Sequence, residues 1–140
     1  MVFLYPLTMK LEELPFKIGM HYEHWEFDLE VVEDNFEPEK YKYLGNEINS
    51  LLGLVITDIY LYFSWDILIK TELFFYFIHP INTYTKLKKQ LINTTEVLQI
   101  SSIEDAGLLF TATFKSKTGK LHYRIQLQNN IISLSISENN

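Results

Sequence analysis

Three side chains near the N-terminus, His21, His24 and Asp28, recur at i, i+3 and i+7, so a helix would place them on one face, within reach of a metal ion. The rest of the chemistry is missing. The chain has no cysteine to add a thiolate and no second, distant ligand pair. His-x-x-His also lacks the i, i+4 spacing of the His-Glu-x-x-His zinc proteases. Histidines beside surface acids explain the same residues without a ligand, so no metal and no cofactor is expected. Lys117-Thr118-Gly119 matches a tripeptide of penicillin-binding enzymes, but Ser-x-x-Lys and Ser-Asp-Asn are both absent. It fits better as a turn in which Gly119 supplies a positive φ. No Gly-x-Ser-x-Gly elbow, Walker loop or dinucleotide fingerprint occurs among the five glycines. Carboxylates are plentiful, yet nothing singles out a pair, and acid–base work requires burial that these acids do not suggest. No catalytic residue is expected.

What remains is charge. The net charge of −6 over 140 residues divides unevenly. Residues 1–50 carry eleven acids against four bases, and residues 51–140 carry seven against eight. The acids concentrate between Glu23 and Glu47, interleaved with Tyr22, Trp25, Phe27, Phe36, Tyr41 and Tyr43. Such a field repels nucleic acid and anionic membrane and attracts basic partners. The simpler reading of any charge run is a solvated face that keeps the domain dispersed.

The elements that must position these residues are clearest at the C-terminal end. Leu108 to Phe114 alternate apolar and polar. Leu121, Tyr123, Ile125 and Leu127 alternate with His122, Arg124, Gln126 and Gln128, and Ile132, Leu134 and Ile136 with serines. Lys117–Lys120 and Asn129-Asn130 make the turns, so an antiparallel three-stranded meander with one wet face is predicted. A central hairpin is predicted from Val55–Phe63 and Ile67–Ile78, turning at Ser64-Trp65-Asp66. Its second strand, apolar on both faces at its end, belongs in the middle of the sheet. His79-Pro80 ends it, and a helix follows with Asn82 or Thr83 as N-cap and Tyr84, Leu87 and Leu91 on its apolar face. Residues 94–106 read mostly as loop, with a short strand near Val97–Ile100. Residues 21–34 fit either periodicity. As a strand, Trp25, Phe27, Leu29 and Val31 alternate with acids. As a helix, Tyr22, Trp25, Leu29, Val32 and Phe36 form a stripe that leaves Phe27 and Val31 outside. The wealth of Glu and Asp favours the helix.

Together these elements make a single α+β domain over residues 1–140. Its antiparallel sheet of about five to six strands combines the central hairpin with the meander and is covered by one or two helices. Phe16-Lys17-Ile18-Gly19-Met20 followed by Tyr41-Lys42-Tyr43-Leu44 gives the first half a layout that resembles β-lactamase-inhibitor-like domains. That resemblance implies a fold layout and no site residue. The N-terminus has no basic region before its apolar residues, and Pro6 and Lys10 interrupt it, so no signal peptide is expected. The apolar stretches around residues 51–78 carry Asp58, Asp66, Lys70 and Glu72, too much charge for a span of about 20 residues. A soluble, cytoplasmic protein is expected. Eleven lysines against one arginine, with abundant Ile, Asn and Phe, suggest an AT-rich bacterial genome. The sequon Asn93-Thr94-Thr95 carries no weight in that setting.

Two functions from different classes follow. The first is an acidic protein-binding domain of the kind that bacterial immunity or inhibitor proteins require, able to occlude a basic partner such as a toxin. Tyr22, Trp25, Phe36 and Tyr41 would be its anchors, and Glu23, Glu26, Glu30 and Glu33 its counter-charges. Plain core packing is the competing reading of each aromatic, Trp25 above all. The second is a small apolar-ligand carrier with a pocket between sheet and helix lined by Phe74, Tyr76, Phe110 and Tyr123. An enzyme working through scattered carboxylates or histidines ranks third.

Overall fold

A computed structural model describes residues 9–33, 38–94, 97–106 and 109–138, omitting the side chains of Glu33 and of residues 97–106. Apolar residues at every second position fold into strands wherever one face can be buried. The strands are β1 (Leu29–Glu33), β2 (Glu39–Tyr43), β3 (Ser50–Leu51), β4 (Leu54–Ser64), β5 (Ile67–Phe75), β6 (Val97–Ala106), β7 (Leu109–Ser116), β8 (Leu121–Gln128) and β9 (Ile131–Glu138), with helix α1 (Pro80–Ile92) between β5 and β6. The sheet runs β1-β2-β4-β5-β9-β8-β7-β6, every neighbour antiparallel, and short β3 pairs with β4 off this path. The fold is therefore α+β, with one helix packed on an antiparallel sheet that includes the C-terminal meander.

β5 lies between β4 and β9, the central place its two apolar faces require. Its pairing with β9, from Lys70↔Ser137 to Phe75↔Ile132, joins the hairpin to the meander. The face carrying Leu61, Phe63, Leu73, Ile125 and Leu134 is buried. α1 covers its β6, β8 and β9 side and sinks Tyr84, Leu87 and Leu91 into it. Each such side chain stabilises the fold by about 1.5–3 kcal/mol on burial. Leu11, Leu14 and Phe16 complete the same cluster from the N-terminal segment.

Four expectations change. The sheet is wider than five to six strands, because β1, β3 and β6 join it. β6 replaces the expected loop. Its polar run Ser101-Ser102 and Glu104-Asp105 hid it, as an edge strand does not need strict alternation. α1 begins at Pro80, ahead of both Asn82 and Thr83, with His79 in the cap position. Proline is preformed for the first helical residue and forfeits only an N–H that would be orphaned there. Residues 21–33 form no α-helix, and Asp34 lies outside the described residues. Two 3-10 turns, Tyr22–His24 and Glu26–Asp28, lead into β1, where pairing of Leu29, Glu30 and Val31 with Tyr43, Lys42 and Tyr41 overrides the poor strand propensity of the glutamates. Phe16–Met20 forms no strand.

Thr71 is an exception to the apolar core. It faces inward from β5 at 0% exposure, and its Oγ1 is buried without a hydrogen-bond partner. An unsatisfied buried hydroxyl costs about 1–3 kcal/mol. Thr71→Val keeps the shape and the strand preference, so denaturant unfolding should show a gain of about 1 kcal/mol. A loss would mean that the hydroxyl is bonded.

Candidate functional site

The acidic segment is built onto the sheet by its backbone first. Gly19, at φ +98, donates its N–H to the Leu68 carbonyl at 2.8 Å, and Leu68 returns a bond to Met20 at 2.8 Å. The Tyr22 N–H then reaches the Asp66 carbonyl at 2.8 Å, so residues 19–22 run beside the start of β5. The two 3-10 turns follow, and the Asp28 carbonyl accepts the Leu44 N–H at 2.8 Å where the chain enters the sheet edge as β1.

Two ring clusters hold the segment down. Tyr22 packs on Tyr41 and Phe63, with centroids at 5.0 and 5.5 Å, and Trp25 packs on Phe16 and Tyr43 at 4.8 and 6.1 Å. Tyr22, Trp25 and Tyr41 are half-buried against the core. These expected anchors also serve as struts of the segment. The Trp25 Nε1–H is buried without an acceptor, so the ring is placed by packing and not by a hydrogen bond. Glu23, Glu26, Asp28 and Glu30 are exposed. Glu30 lies across from Lys42 on the uncovered face, whereas Glu23 and Glu26 ride on the 3-10 turns, so the acids meet along the β1 edge and not on one helix face. Glu33 is in β1 with its side chain outside the described residues, and Phe36 lies wholly outside them.

Two aromatics were not singled out as anchors. Phe27 stands 94% exposed between Glu26 and Asp28, and Trp65 stands 89% exposed at the tip of the β4–β5 hairpin. Phe27 was legible in part, since the helical pattern left it outside. Trp65 lies in the expected turn Ser64-Trp65-Asp66, although a tryptophan in a turn is itself a signal.

The uncovered face offers less. Lys40 lies over the Tyr60 and Tyr62 rings at 4.5 and 5.6 Å, and Lys70 over Tyr62 at 4.9 Å. The Tyr62 hydroxyl donates to Glu72 at 2.9 Å, and Lys42 meets Asp58 at 3.4 Å. Lys40, Lys42 and Lys70 are thus each engaged by a ring or a carboxylate. The four residues expected to line a carrier pocket do not come together. Phe74 is on this face, Tyr123 is buried on the opposite one, Phe110 leans on Tyr84, and Tyr76 is exposed. Phe74 and Phe110 border separate recesses of about 350 and 460 Å³. Among the described residues no three His, Asp or Glu side chains stand close enough to share a metal, and His24 Nδ1 lies 3.3 Å from the His21 carbonyl.

Burial, then the Glu39 carboxylate that accepts its hydroxyl hydrogen, push the Tyr41 phenol well above its usual range. Burial, with Asp28 and Glu47 nearby, raises Tyr43 as well. Both phenols stay neutral in the fold after a free one would ionise. Their contribution to stability is therefore full below pH 10.0, the ordinary value, and is lost as pH rises above it towards the folded values. An alkaline titration of phenolate absorbance should show these two ionising late, coincident with loss of the near-ultraviolet dichroism of Trp25. Ionisation at the free-phenol pH with the fold intact would refute the packing.

No protein-family model, no curated protein and no solved structure matches the chain, so the layout likeness to β-lactamase-inhibitor-like domains gains no support, and the functional reading rests on the residues themselves.

Proposed function

We propose that this chain is an acidic, non-enzymatic protein-binding domain. Its N-terminal segment docks a basic partner in the manner of a bacterial immunity or inhibitor protein covering a cationic cleft. The observation that supports the reading is Phe27, a ring at 94% exposure set between the carboxylates of Glu26 and Asp28. A phenylalanine in water gains about 1.5–3 kcal/mol when a partner buries it. Flanking acids steer encounter and select the sign of the partner. Glu23, Glu26 and Glu30 keep the role of counter-charges. The anchor moves to Phe27, while Tyr22, Trp25 and Tyr41 hold the platform. The same field disfavours nucleic acid and anionic membrane. No helix among the described residues is long and apolar enough to cross a bilayer, which accords with a cytoplasmic place for the complex.

The test uses the basic protein that co-purifies with the chain from its source cell, titrated at two salt concentrations. Raising ionic strength from about 0.05 to about 0.3 M should weaken binding about tenfold or more. Glu26→Lys/Glu30→Lys should weaken it further, and Phe27→Ala should raise the off-rate, all with unchanged far-ultraviolet dichroism. Affinity indifferent to both salt and charge reversal would refute the docking reading.

A further inference from the structure

Three hairpins of this fold close through two-residue turns whose central residues both have positive φ: Leu52-Gly53, Trp65-Asp66 and Asn129-Asn130. This geometry matches the twist of the strands but suits Asn, Asp and Gly, because a bulky side chain crowds the left-handed backbone. The Asn129-Asn130 turn obeys that chemistry. Leu52, at φ +52, breaks it but packs its side chain against the core. Trp65, at φ +51, breaks it and stands 89% exposed, leaving the largest of the side chains almost wholly in water. Neither the turn nor the core accounts for a tryptophan there.

The turn is also braced from the side. The Tyr22 N–H bonds to the Asp66 carbonyl, His21 bridges to Ile67, and Gly19 and Met20 bond to Leu68. The hairpin tip and the acidic segment are thus one rigid unit, in which Glu23 follows the residue bonded to Asp66. An indole face is electron-rich, and carboxylates beside it add attraction for a cation.

We infer that Trp65 is a second anchor of the docking surface, a preset indole that takes an arginine side chain of the basic partner across its face, with Asp66 and Glu23 as the flanking counter-charges. This rests on the docking reading and deepens it. It names the cation and the place where it binds. Arginine is the better match than lysine, since its planar guanidinium stacks on the ring while its N–H groups remain free for the two carboxylates.

The experiment uses a short peptide of alternating arginine and glycine as the probe, with its lysine counterpart. The indole N–H resonances of Trp25 and Trp65 are followed by NMR. The Trp65 resonance should shift saturably, Trp25 should shift less, and the arginine peptide should bind more tightly than the lysine one. Trp65→Asn relieves the left-handed backbone, so it should melt no lower than the parent chain while losing about tenfold or more in affinity, and Trp65→Tyr should retain most of it. Peptide binding that depends on Glu26 and Glu30 but ignores Trp65→Asn would overturn this inference and leave the docking reading standing. A lowered melting temperature for Trp65→Asn would overturn it too, by giving the indole a role in the fold. Absence of any peptide binding would overturn the arginine assignment, while the titration of the co-purified partner decides the docking reading separately.

Discussion

A stretch rich in carboxylates does not settle on a sheet through its charges; Tyr22 and Trp25 put it there. Tyr22 wedges between Tyr41 and Phe63, and Trp25 between Phe16 and Tyr43. These ring contacts cover the β2 and β4 side of the sheet, whereas α1 packs mainly on β6, β8 and β9. With the rings seated, the two 3-10 turns leave Glu23, Glu26 and Phe27 exposed, and β1 can pair at the edge. Without them, β2 would expose Tyr41 and Tyr43, and the acidic segment would be tied only by a few backbone bonds. Each aromatic pair contributes about 0.5–1.5 kcal/mol beyond the area it buries.

The sheet below makes this arrangement possible by being closed elsewhere. The β5–β9 pairing joins the two halves into one surface, and one face receives the helix and the N-terminal segment. The other face is left open, but there Lys40, Lys42 and Lys70 lie over tyrosine rings or beside acids. Unpaired acids and exposed rings gather where the N-terminal segment meets the β1 edge and the β4–β5 tip, and nowhere else among the described residues do both occur together.

Much of this was legible in the sequence, for physical reasons that differ by element. Strict alternation in Leu121–Gln128 and Ile131–Ile136 marked the meander because one face of those strands is dry and the other wet. The double apolar character of Phe74-Phe75 marked β5 as central. The segment around Glu30 resisted because its structure is decided by pairing with β2, a contact between residues a dozen positions apart, and not by its own propensities. β6 resisted because edge strands lack a pattern to read. The exposure of Glu23, Glu26 and Glu30 was legible in the sequence, and which rings face water was not. Composition places Tyr22, Trp25 and Phe27 in one neighbourhood, but only packing tells that the first two are spent on the core while Phe27 is not. Trp65 shows the converse, a residue whose backbone conformation, invisible in the sequence, makes its exposure informative.

On the proposed reading, the 3-10 turns, the β1 edge and the hairpin tip form one docking surface. Amide hydrogen exchange of the chain, alone and saturated with its basic partner, tests this most directly. The account predicts new protection confined to residues 22–33 and 64–66, with the serine-bearing strand β9 and the open face of β8 unchanged. Protection centred on β8 and β9, or on the recess beside Pro80 and Phe110, would contradict it.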